Sequence, residues 1–144
     1  MSNVVYKRTL LFCAVLFAMV VLAVALIVIP AVESDVSPNA VPERAAAAFW
    51  VNVGLNLLFA AAGASAAIWS KRQGSFSVTI LVLAAIGALL LGLALVDAAM
   101  AFRSHESIGQ GIPVLLFICA ATDIVAGVVL LVAVKRRPRI GLEA

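Results

Sequence analysis

The chain has 144 residues, 65% of them hydrophobic and only 12% charged, with a net charge of +3. A soluble domain has about a quarter charged residues, so this composition excludes water as the main solvent. Four membrane spans leave no length for a separate catalytic domain. The pattern predicts one transmembrane domain over residues 1–144, an all-α, integral membrane four-helix antiparallel bundle with both termini cytoplasmic.

The first apolar run, Leu10 to Val32, follows Lys7 and Arg8. From Thr9 it exceeds the ~7 to 15 apolar residues of a secretory signal, so it is expected to be a retained span. Ser2 stands where myristoylation needs glycine, and the closing Gly-Leu-Glu-Ala is no prenylation box. Pro30 is expected to end or kink this helix. The bulky Val20, Val21, Leu22, Val24, Leu26 and Ile27 suit a helix facing lipid or a partner, so span one is expected at the bundle's periphery. Cys13 lies near its cytoplasmic end and Cys119 in the outer half of span four, too different in depth for a disulfide. Both read as small buried thiols.

The connection from Glu33 to Arg44 is acidic and carries turn chemistry in Ser37-Pro38-Asn39 and Pro42-Glu43. Span two follows over Ala45 to Trp69. Its Trp50 and Trp69 are separated by about 28 Å of helical rise, the distance between a membrane's two aromatic belts. Asn52, Asn56, Ala60, Gly63 and Ala67 share one helical face, small enough for close backbone approach. Ser70 to Ser75, with Gly74, is expected to make a tight turn into span three.

Span three, Phe76 to Phe102, has a small-residue face of Ala84, Ala88 and Gly92. Its Asp97 is about 31 Å along the helix, at the outer interface near Asn52, where a hydrated acid is the plain reading. The connection from Arg103 to Gly111 contains His105-Glu106, which lacks the second His of a metalloprotease motif. Pro113 then suits the first turn of span four, Ile112 to Val134. There Cys119, Ala120, Ala126 and Gly127 surround Asp123, and spans two, three and four are expected to pack tightly together.

Basic residues cluster at Lys7-Arg8, Lys71-Arg72 and Lys135-Arg136-Arg137-Arg139, whereas the other two connections hold only Arg44 and Arg103. That segregation orients the protein and needs no nucleic-acid partner. Lys135, Arg136, Arg137 and Arg139 are also expected to contact anionic lipid headgroups, at about 1 kcal/mol each. The basic pairs recur every 64 residues, but two hairpins of similar length give the same spacing.

Asp123 lies about 18 Å from Lys135 by helical rise, at mid-membrane. Its insertion costs about 2.5 to 3.5 kcal/mol, which the apolar neighbours of span four outweigh. It is expected to face the bundle interior with Asn56 as partner, since Asn56 lies at similar depth, about 22 Å from Lys71. Asn52, Asn56, Asp97 and Asp123 form the candidate intramembrane polar site, a vestibule opening outward. A hydrogen bond fixing helix order, at about 0.6 kcal/mol, is the simpler role.

The first helix lacks the embedded glutamate of small multidrug transporters, and the connections lack the cysteine-bearing loops of claudin-like and tetraspanin-like proteins. One His and two Cys give no ligand set for a metal or haem, so no cofactor is expected. The expected function is a non-catalytic accessory or scaffold subunit, with a membrane-protein partner or a homo-oligomer in the bilayer. The alternative is a small proton- or cation-coupled transporter or channel using Asp123 and Asn56. Short loops and segregated charge fit a prokaryotic plasma (inner) membrane.

Overall fold

A computed structural model describes residues 2–34, 43–69, 75–103 and 111–137. The turn sequences at 35–42 and 70–74, His105-Glu106 and Arg139 lie outside these. The fold is all helical, with four helices long and apolar enough to cross a membrane: Asn3–Glu33, Ala45–Ile68, Ser77–Phe102 and Gly111–Lys135. Helices are what lipid requires, because a backbone amide without a partner costs several kcal/mol there and a helix satisfies its own.

Span one starts where Ser2 Oγ accepts the Val5 N–H at 3.2 Å, a side-chain cap for an otherwise free donor. Pro30 neither ends the helix nor breaks it. Residues Val24–Val28 widen into a π turn, in which the Ile29 N–H bonds back to Val24 O. The wider turn accommodates a proline ring that would press on the carbonyl four residues earlier in a regular α-helix. One further α turn, Ile29–Glu33, closes with the Ser34 N–H on Pro30 O at 3.0 Å. In span four, Pro113 falls in the first turn, where its missing N–H has no intrahelical acceptor to leave unmet.

The four spans form a ring in which one packs on two, two on three, three on four and four on one. The closest contact is between three and four, followed by one with two. Span one is therefore not peripheral, and spans two and four lie across the ring rather than side by side. Tyr6, Leu10, Cys13, Phe17, Val20, Val24 and Val28 of span one are all buried, while Leu22, Leu26 and Ile27 point outward. Small residues bring spans one and two close at one level and an aromatic pair fills another. A Cβ on Gly63 of span two would stand 3.3 Å from Leu10 O, and the Phe17 ring meets Phe59 edge-on at 5.6 Å. The small-residue stripe of span two thus lets the backbone of span one approach closely.

Two apolar clusters fill the interior. One joins Val20, Val24, Val28 and Val32 to Phe49, Val53, Leu95, Phe102, Leu116 and Cys119. The other joins Tyr6, Leu10, Cys13 and Phe17 to Ala67, Leu81, Ala126, Leu130 and Val134. The beginning of span one thus lies with the end of span two, the beginning of span three and the end of span four. Trp50 and Trp69 are both exposed, 52% and 60%, at the two ends of span two.

Candidate functional site

Asp123 is held at mid-span by small neighbours on its own helix: Cys119 and Ala120 one turn before it, Ala126 and Gly127 one turn after, all buried. Span four sits close to its neighbours at this level. Cys13 Sγ of span one donates to Ala126 O at 3.7 Å. A Cβ on Gly92 of span three would meet Ile124 Cγ1 at 2.5 Å. The Asp123 side chain is fully enclosed, with 0% exposure.

Asn56, also at 0%, adjoins the Asp123 carboxyl from span two, and Asn52 is nearly as buried. Because spans two and four face each other across the ring, this pair sits on the bundle axis rather than at a helix interface. The Asn56 amide nitrogen donates to Asn52 O at 3.0 Å and to Asn52 Oδ1 at 2.9 Å. Both contacts run along span two itself. Asn56 Oδ1 and both Asp123 carboxyl oxygens have no hydrogen-bond partner among the described residues. Asn56 adjoins Asp123 as its depth implies, and its amide nitrogen also meets Asn52.

Asp97 is not part of this group. Its side chain is exposed on the outer surface of span three, as are Leu93 and Met100 near it, whereas Leu95 and Ala99 face inward. Asn52, Asn56 and Asp123 are brought together; Asp97 is left outside, and the four do not line one vestibule. The trio is enclosed by the two apolar clusters, with Val53, Leu116 and Cys119 on one side and Phe17, Ala126 and Leu130 on the other.

The sequence reading did not find the Cys13 contact with Ala126 or the role of Asn52 in orienting Asn56. The four-residue spacing of the two asparagines was the available signal for the second, since it stacks them on one face. Cys13 and Cys119 are free and buried. Lys135, Arg136 and Arg137 are exposed where the last helix ends, and Arg137 Nη1 donates to Val134 O at 2.9 Å. The basic side chains at this end of span four also complement the helix's negative pole.

Chemically, the site offers oxygens in excess of donors: a carboxyl group, one free amide oxygen and no facing cation among the described residues. Such a group accepts a proton or a cation, or anchors two helices once its acceptors are met. Compared with protein-family models, curated proteins and solved structures, the chain matches none.

Proposed function

We propose that this chain is a non-catalytic accessory or scaffold subunit of a larger assembly in a prokaryotic plasma membrane. It crosses the bilayer four times as an antiparallel bundle, with both termini in the cytoplasm. The pairing of helix ends within the two apolar clusters supports the antiparallel order, and the segregated basic residues support the orientation. The observation that carries the functional reading is the enclosure of Asn52, Asn56 and Asp123 between apolar layers, which leaves no continuous polar path along the bundle axis among the described residues. A conducting or transporting path needs polar groups or water along its length.

Purification in a mild detergent tests this. The expected result is a stable membrane-protein partner at fixed stoichiometry, lost on harsher solubilisation. A homo-oligomer that moves protons or monovalent cations into liposomes, with flux abolished in Asp123→Asn, would replace the subunit reading with the transporter reading. The three unpartnered oxygens at the bundle centre favour that second reading.

A further inference from the structure

We propose that the exposed face of span three around Asp97 docks a transmembrane helix of another membrane protein, one that carries a lysine or arginine at the depth of Asp97. The inference rests on the subunit reading and names the face and the chemistry that hold the partner.

The depth of Asp97 follows from an aromatic contact. The Phe49 and Phe102 rings meet at 5.7 Å, which sets the end of span three level with Trp50, the exposed tryptophan at that end of span two. Tryptophans so placed mark the boundary between hydrocarbon and headgroups. Asp97 precedes Phe102 by five residues and so lies about 7.5 Å deeper. Helical side chains lean toward the helix N-terminus, which turns Asp97 away from the nearer membrane surface. A lysine could reach back to water along its own stem, but an aspartate stem is too short.

Asp97 faces outward together with Leu90, Leu93 and Met100. Ala94, exposed one turn before it, lets the backbone of a neighbouring helix come close to the acid. Ionisable groups inside a bilayer face a protein interior or a polar partner rather than acyl chains. Within this chain Asp97 has neither, since it points away from Asn52, Asn56 and Asp123 and makes no hydrogen bond or ion pair among the described residues.

Charge decides the occupant. The apolar runs 10–32, 45–69, 76–102 and 112–134 contain no lysine or arginine, so a second copy inserted the same way offers no cation at this level. Its own Asp97 would meet the first as acid against acid, and its Arg103 stands about 9 Å nearer the surface. A foreign helix with a buried lysine or arginine supplies both the opposite charge and the donors that Asp97 lacks.

The test uses the full chain in phosphatidylcholine vesicles with two synthetic transmembrane helices of leucine and alanine. One carries a single arginine at the depth of Asp97, and its twin has leucine there. Energy transfer from a dye on Leu142→Cys to a dye on the helix reads association, and the arginine helix is expected to bind about tenfold more tightly than its twin. That comparison needs no substitution within the bundle. Asp97→Asn should abolish the preference and Asp97→Glu should keep it. Equal binding of the two helices, a preference that survives Asp97→Asn, or Asp97-dependent transfer between two labelled copies of the chain would overturn the proposal. A chain that co-purifies with a stoichiometric partner but does not prefer the arginine helix keeps the subunit reading and loses this one. Preference for the arginine helix in a chain that co-purifies with nothing does the reverse.

Discussion

Phe17→Ala is expected to lower the stability of the bundle by about 2 to 3 kcal/mol, the packing share of the ~3 to 5 kcal/mol lost when a buried phenylalanine is truncated in a water-soluble core. In a bilayer the separated helices are still in an apolar solvent, so the transfer contribution largely cancels and the cavity remains. Phe17 has 0% exposure, lies in the apolar cluster that joins Tyr6 and Leu10 to Leu130 and Val134, and meets Phe59 at 5.6 Å with planes at 62°. Removing its ring leaves Phe59 facing a void that neighbouring backbones cannot close. Phe12, on the same helix but 54% exposed, is the control, because its truncation removes contacts with lipid alone. Unfolding in mixed micelles measures both. Equal, small effects would put span one back at the periphery.

Gly127→Leu is expected to cost about 3 kcal/mol, at the upper end of the range for overpacking a well-filled interior. A Cβ at this position would stand 2.9 Å from Ala85 O and 3.1 Å from Leu89 Cγ. The first of these is backbone in a membrane helix, which cannot move aside without separating spans three and four. Gly54, with nothing within 4 Å of its Cβ position, is the matched control, and Gly54→Leu should change stability by no more than about 0.5 kcal/mol. Melting curves of the two variants decide the point. If Gly127→Leu melts with the unaltered protein, the close approach of spans three and four is wrong.

Much of this architecture is legible in the sequence because lipid leaves so few choices. A run of apolar residues the length of a bilayer must be helical, and its rise then fixes the depth of each residue. That is why Asp123 and Asn56 could be placed at one level without coordinates. The order of helices around the ring is a different matter. Each span is apolar on every side, so hydropathy gives no inward face, and a small-residue stripe says that something packs there without saying what. The stripe from Asn52 to Ala67 therefore suggested packing with spans three and four, whereas Gly63 in fact receives Leu10 and Ala14 of span one.

The outcome at Pro30 was hidden for a similar reason. Proline announces a disturbance, but whether a helix ends, kinks or widens depends on what surrounds it, and here Val24 and Val28 are both fully buried in the cluster with Phe49 and Phe102. Asp97 is exposed, as the plain reading of a hydrated acid has it, and depth alone cannot tell which side of a helix a residue takes. At the right height for the polar site, it points to the other side of its helix.

Thiol labelling of sealed vesicles tests the four-span account most directly. Cys13 and Cys119 are buried, so an impermeant reagent should report only on introduced cysteines. Ser2→Cys, Gln73→Cys and Leu142→Cys should react from the cytoplasmic side, and Asn39→Cys and Ser107→Cys from the opposite side. Labelling of Ser2→Cys and Leu142→Cys from opposite faces would contradict the account.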